Sequence, residues 1–188
     1  MKCSAFIAVS ADGYIATLDG EVEWLESAGN PQAGDGEQLG SGGFEDYIAS
    51  VDCVIMGRKS MEKISSFNLA PEQWPYGELR IFVLSKSVTA APQNIADRVE
   101  MYSGEIPSLI DGLAAEGYEP AYIVGGRTIT SFINHKLIGE VTITQAPILL
   151  GEGLPLFGKI AGQVRLSEAK VTAFSNDFIQ WKYNLNYV

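Results

Sequence analysis

The residues best equipped for chemistry sit at three places where an apolar run stops and polar or glycine residues take over. In Val54-Ile55-Met56-Gly57-Arg58-Lys59-Ser60 a buried strand ends at Gly57 and runs into a helix led by two cations and a hydroxyl. A junction of this kind aims free backbone N–H groups outward, and a glycine lets an anion approach them. Val83-Leu84-Ser85-Lys86-Ser87 presents a hydroxyl, a cation and another hydroxyl at a second strand end, a set that suits a phosphate monoester. Val124-Gly125-Gly126-Arg127-Thr128 places paired glycines between a strand and a helix, where a pyrophosphate can lie against the backbone within reach of Arg127 and Thr128. Taken singly, the first is as readily an exposed helix start, while a polar loop and a plain turn are the ordinary readings of the second and third. Three together point to a ligand, because parallel sheets bind ligands at the carboxyl ends of their strands. No GxGxxG follows the first strand, so this is not the Rossmann fingerprint.

The elements that must position these junctions alternate along the chain. Residues 2 to 9 read as an opening strand halted by Ser10-Ala11-Asp12-Gly13, and Tyr14 to Ala16 as a short second piece. Residues 27 to 43, rich in glycine, predict a long loop. Phe44, Tyr47, Ile48 and Val51 recur at helical spacing, after which Cys53 to Met56 and Arg80 to Leu84 read as strands around a helix over 58 to 65. Val99 to Tyr102 adds a strand, Ile106 to Glu116 a helix closed by Gly117, and Ala121 to Val124 a strand feeding a helix from about Arg127 to His135. Val141 to Thr144, Val164 to Phe174 and Phe178 to Leu185 are β segments without helices between them, and residues 146 to 158 read as a loop. This order predicts one α/β domain with a mostly parallel sheet, helices on its faces and an antiparallel C-terminal edge.

A chain of 188 residues can bury one core and still build a cleft, and its 46% hydrophobic and 19% charged content excludes a disordered or fibrous protein. The formal charge of −10 opposes a grip on nucleic acid or anionic membrane, so a phosphate must be met by discrete cations. Cys3 and Cys53 lie in apolar runs without metal-ligand spacing, and the one histidine, His135, adds none; they read as core thiols, with a mutual disulfide left open. No signal peptide opens the chain and no run approaches the ~20 apolar residues of a membrane span. A cytoplasmic protein with a small-molecule substrate, and with no metal, membrane or nucleic-acid partner, is the expectation.

SADGYIA (10 to 16), VIMGRKSME (54 to 62), FVLSKS (82 to 87), AYIVGGRTITSF (121 to 132) and PILLGEGLPLF (147 to 157) resemble, in this order, the dihydrofolate reductase superfamily. The likeness is greatest to the branch containing the C-terminal domain of bifunctional deaminase-reductases of riboflavin biosynthesis, and it covers nearly the whole chain. The resemblance implies a dihydrofolate reductase-like three-layer α/β/α fold with an eight-stranded, mostly parallel sheet and NADPH across its strand ends. Gly57, Arg58, Lys59 and Ser60 would then surround the 2′-phosphate and pyrophosphate, and Ser85 and Lys86 would border the adenine ribose. Val124, Gly125, Gly126, Arg127 and Thr128 would line the pyrophosphate, Ala8, Ile15 and Ala16 would wall the nicotinamide, and Gly151 and Gly153 would pass close by. The family also often holds its Gly-Gly bond, here Gly125–Gly126, cis.

The implied function is an NADPH-dependent reductase of a small heterocycle, pterin or aminopyrimidine ribotide-like; the alternative is an NADP(H)-binding protein that keeps the fold without turnover. Dihydrofolate reductases carry a pterin-holding acid about 16 positions before the glycine of this motif, and counting back from Gly57 reaches Ser41. Glu45 and Asp46 follow a few positions later, a departure that separates this chain from dihydrofolate itself. Apolar edge strands, as in relatives of this branch, predict a homodimer.

Hydride transfer asks mainly for placement and exclusion of water, with one proton donor often enough. Asp12 borders the expected nicotinamide, in competition with an Asx-type turn at Gly13. Asp46 as a second acid, and Glu45 as a substrate ligand, can face the pocket or simply solvent. Trp24, in the loop after the second β piece, stands either beside the substrate or as a core plug. Trp74 and Trp181 read as packing and His135 as a helix C-terminal residue.

Overall fold

The computed structural model describes residues 1–30 and 43–188. Along them the strands are β1 (Cys3–Val9), β2 (Tyr14–Ala16), β3 (Cys53–Gly57), β4 (Arg80–Leu84), β5 (Glu100–Tyr102), β6 (Ala121–Val124), β7 (Ile138–Gln145), β8 (Leu154–Pro155), β9 (Val164–Ala173) and β10 (Ile179–Tyr187). The helices are α1 (Trp24–Ser27), α2 (Phe44–Ala49), α3 (Arg58–Ser66), α4 (Ile106–Ala115) and α5 (Gly126–Asn134).

Cys53, Val54, Ile55 and Met56 are all shielded from water, as an unbroken apolar run must be when both faces of its strand are covered. Among the described residues the main sheet has eight strands in the order β5-β4-β3-β6-β1-β7-β10-β9. Pairing is parallel from β5 to β7 and antiparallel where β10 meets β7 and β9. Alternate side chains divide the core. Val54, Met56 and Tyr122 join Met61 and Ile64 of α3, with Phe44 and Tyr47 of α2 packed against them. Ile55, Ile123 and Val141 join Leu109, Ile110 and Leu113 of α4 and Ile129, Phe132 and Ile133 of α5. The result is three layers, with α2 and α3 on one face and α4 and α5 on the other.

This topology also creates a crevice. The chain leaves β3 through α3 onto one face, and leaves the neighbouring β6 through α5 onto the other. Adjacent parallel strands whose connections part in this way leave a gap outside their carboxyl ends.

Several details differ from expectation. Trp24 lies in the one-turn helix α1 rather than a loop. The 146 to 158 connection contains β8, which pairs with β2. β7 begins at Ile138 rather than Val141 because β1 pairs with it along its length from Cys3. The Gly125–Gly126 bond is trans; among the described residues the cis bond is Glu119–Pro120. Gly125 instead turns the chain through a positive φ of 94°. Cys3 and Cys53 both stand opposite Ala121 in β6, so a whole strand separates two free, buried thiols and no disulfide joins them. Burial pushes the Cys3 thiol up to about 12 and that of Cys53 up to about 11. The predicted 27 to 43 loop falls largely, and Ser41 wholly, outside the described residues. Among those described, no helix is long and apolar enough to cross a membrane.

Phe132 is completely buried on the sheet-facing side of α5. Phe132→Ala should lower the unfolding free energy by about 3–5 kcal/mol, read as an earlier urea midpoint with unchanged slope. A change below about 1 kcal/mol would show that α5 is not seated as described.

Candidate functional site

Both α3 and α5 are nine residues long and both start from a glycine N-cap, so no capping side chain engages their first-turn N–H groups. The two starts touch. A Cβ at Gly57 would lie 2.6 Å from Thr128 Oγ1, and one at Gly125 would strike Ser60 Oγ. A Cβ at Gly126 would lie 2.6 Å from the Leu156 carbonyl oxygen and 3.0 Å from Ile15 Cδ1. Gly153 is pressed in the same way against the Ala16 carbonyl and the Tyr14 side chain. The structure thus brings together Gly57, Ser60, Gly125, Gly126, Thr128, Ile15, Ala16 and Gly153, drawn from four distant stretches of sequence. Nothing larger than hydrogen fits at Gly57 or Gly126 without moving the opposite wall.

The third junction lies next door. Gly57 pairs with Leu84, so Arg58 and Ser85 leave neighbouring strand ends. Ser85 N–H donates to the Tyr102 carbonyl at 2.9 Å, and its hydroxyl accepts from Val88 N–H at 2.9 Å, which fixes the turn that carries Lys86. The cations are less free than their spacing suggests. Arg58 Nη1 is 2.5 Å from Glu62 Oε1, Lys59 Nζ is 3.2 Å from Glu62 Oε2, and Lys86 Nζ is 2.6 Å from Glu105 Oε1. Arg127 is exposed and makes no ion pair among the described residues. Partial burial pushes the Glu62 carboxyl up, but hydrogen bonds from Lys59 and Arg58 outweigh it and hold the group below the usual glutamate value. Sequence reasoning singled out neither acid. Glu62 was visible as the fourth residue after Arg58 on one helix face; Glu105 comes from a different element and gave no signal.

At the other end of the crevice the β1–β2 turn is tied to the 146–153 segment. Ser10, fully buried, donates its hydroxyl to Asp12 Oδ1 at 2.6 Å and accepts from Tyr14 N–H at 2.9 Å. Asp12 Oδ2 accepts from Gly151 N–H at 2.7 Å and Oδ1 from Leu150 N–H at 3.2 Å. Ala11 N–H donates to the Ile148 carbonyl at 2.7 Å, and Gln145 Nε2 donates to the Ala11 carbonyl at 3.1 Å. The expected Asx-type turn does not form, because Ser10 Oγ rather than Asp12 takes the Tyr14 N–H. The Ser10 hydrogen bond, helped by the Gly151 and Leu150 amides, holds the Asp12 carboxyl below its ordinary value. An ionised carboxylate with both oxygens engaged is a tether and has no proton to give at neutral pH.

Beside α2 lies a cavity of about 690 Å³ whose lining includes Ser4, Phe6, Asp46, Tyr47, Thr142 and Gln180. The Ser4 and Tyr47 hydroxyls are 2.7 Å apart within it. The lining runs from Lys2, Pro120 and Gly139 at the amino ends of the strands to Thr142 and Gln180; Gln180 of β10 stands opposite Thr144 of β7, which stands opposite Ala8 of β1. Asp46 borders this space, whereas Glu45 is exposed and does not line it. Lys63 of α3 holds Glu21 at 2.7 Å and Glu23 at 3.3 Å, which docks the segment leading into α1. The indole N–H of Trp24 on that helix is buried without an acceptor, and among the described residues it is the buried side-chain donor left in that state.

Comparison with known proteins gives a consistent result. Residues 2–180 match the RibD C-terminal domain family. A candidate riboflavin biosynthesis protein from Shewanella sp. PV-4 superposes with a TM-score of 0.86 at 36% identity over all of both chains. The uncharacterized Bacillus subtilis protein YwjB is 31% identical over 88% of this chain and 87% of its own. The Thermotoga maritima diaminohydroxyphosphoribosylaminopyrimidine deaminase/5-amino-6-(5-phosphoribosylamino)uracil reductase shares the fold at a TM-score of 0.65 and 16% identity, covering 98% of this chain and 56% of its own. A dihydrofolate reductase from Enterococcus faecalis, solved with NADP(H), does so at 0.61 and 14% over 99% and 97%. The three-layer α/β/α arrangement is therefore the dihydrofolate reductase-like fold.

The Asp12 tether yields a pH-dependent prediction. Since its carboxyl is depressed in the folded chain, the tether should be intact above the ordinary aspartate pKa and lost only as pH falls through the lowered folded value. Hydrogen-exchange protection of the Leu150 and Gly151 amides should vanish in Asp12→Ala at neutral pH, while Ala146, bonded to the Val9 carbonyl, stays protected. Unchanged protection at Gly151 would refute the tether.

Proposed function

Because the chain belongs to the RibD C-terminal domain family, we propose that it is an NADPH-dependent reductase acting on a small polar heterocycle of the pterin or aminopyrimidine-ribotide kind. The observation that carries this reading is the interlock of α3 and α5 at Gly57, Ser60, Gly125 and Thr128, which sets two uncapped helix starts side by side. That cradle fits a dinucleotide on its own chemistry. Paired N–H sets suit a pyrophosphate, Ser60, Thr128 and Arg127 add hydroxyls and a charge, and glycines keep the wall low enough for close approach.

When bound, reduced nicotinamide supplies a hydride. The chain's own residues hold and orient. Arg58, Lys59 and Lys86 offer cations for a 2′-phosphate, with Ser85 beside Lys86 at the end of β4 and Val124 at the end of β6 on the other side of β3. Ala8, Ile15 and Ala16 would form an apolar wall at the far end of the crevice, where the Asp12 tether fixes the Gly151 backbone and Gly153 lies against the Ala16 carbonyl. Excluding water there protects the reacting carbon, and placement is the larger share of what a hydride-transfer site must supply.

The acceptor belongs in the cavity beside α2, whose Gln180 end shares a row with Ala8. Ser4, Thr142, Gln180 and Asp46 suit the polar edge of an aminopyrimidine or the hydroxyls of a sugar, while Phe6 suits its ring face.

NADPH should raise the thermal midpoint of the protein, and Arg58→Gln should weaken its binding by about tenfold, with a smaller effect on NADH. Turnover is read as loss of the near-ultraviolet absorbance of NADPH with a panel of pterins and aminopyrimidine ribotides. No stabilisation by NADPH sinks the reading. Stabilisation with persistent NADPH against every acceptor leaves the binding-only alternative.

A further inference from the structure

Each cation at the expected adenosine end is leashed by a carboxylate, and the two leashes differ. Glu62 lies on the same helix as Arg58 and Lys59, one turn on, and pairs with both. Glu105 reaches Lys86 from a separate element. β4 and β5 are neighbours, with Leu84 opposite Tyr102, so the turn carrying Lys86 and the start of α4 leave adjacent strand ends. The Glu105 backbone is held there: its carbonyl accepts from the Tyr102 hydroxyl at 3.2 Å and from Leu109 N–H at 3.2 Å. Gly104 packs so closely on the Tyr102 ring that a Cβ there would collide with the phenol. A carboxylate is thereby presented at the edge of the cradle, next to the cation assigned to a phosphate monoester.

Resting on the dinucleotide reading above, we infer that Glu105 is a selectivity-determining acid that blunts discrimination between NADPH and NADH. A 2′-phosphate approaching Lys86 meets the Glu105 carboxylate already paired with that ammonium at 2.6 Å and must displace it or lie beside it, like charge against like charge. A ribose 2′-hydroxyl meets no such cost, since it can donate to the carboxylate. Lys86 and Glu105 side chains are 73% and 70% exposed, so solvent screens the effect and salt should erode it. Of the five charged side chains paired here, three are cations and two are acids, which leaves little surplus charge for a dianion.

Dissociation constants for NADPH and NADH, measured by quenching of tryptophan fluorescence at low ionic strength, test this. Glu105→Gln should bind NADPH roughly five-fold tighter with NADH unchanged or weaker. Glu105→Lys should move further in the same direction, and the gain in both should shrink at about 1 M salt. Glu72→Gln, which removes the same charge at an exposed turn away from the crevice, should leave both constants alone. An unchanged NADPH-to-NADH ratio in both Glu105 variants, or equal tightening of both ligands, overturns the inference while leaving the cofactor reading intact. Failure of the wild-type protein to bind either dinucleotide overturns both.

Discussion

Two adjacent parallel strands, β3 and β6, send their chains to opposite faces of one sheet, and the rest of the site follows from that divergence. The helices that begin there cannot avoid each other. They are reconciled by glycines, with Gly57 lying against Thr128 and Gly125 against Ser60. Close contact at this point brings two uncapped helix starts to one crevice and leaves their N–H groups aimed outward. The same constraint reaches the opposite wall, since Gly126 presses on the Leu156 carbonyl and on Ile15, so β2 and β8 are seated by the junction they help enclose. Binding geometry and packing are here one problem with one solution.

The electrostatics solve a different problem. A chain with a formal charge of −10 repels anions at long range, so phosphate recognition depends on a few cations held at the right place. Arg58, Lys59 and Lys86 are supplied already paired, to Glu62 and Glu105, which spares the free protein a cluster of like charges but puts carboxylates where a phosphate would arrive. Asp12 is the opposite case. Its charge is spent on the Ser10 hydroxyl and the Leu150 and Gly151 amides, converting a candidate acid into the clasp of a loop.

Much of this was legible in residue order. The run Cys53–Gly57 announced a strand buried on both faces, and the glycine-cation junctions announced helix starts, because those features depend on local sequence alone. What local sequence could not carry was the insertion of β6 between β3 and β1, which makes two of those junctions touch. The same limit hid Glu105, which meets Lys86 only through the pairing of β4 with β5. It also hid β8, whose two residues have no strand pattern and exist as a strand only because β2 lies opposite. Asp12 was visible beside the β1–β2 turn, but its bonds to the Leu150 and Gly151 amides join segments far apart in the chain and left no local signal.

The central claim is that a dinucleotide lies across the interlocked starts of α3 and α5. Amide chemical shifts followed during titration with NADP+ test it most directly. The account predicts the largest changes at residues 58–60 and 126–128, with smaller ones at Ser85 and Gly151. Changes confined to the far rim of the cavity, at Lys2 and Ser50, or none at either helix start, would contradict it.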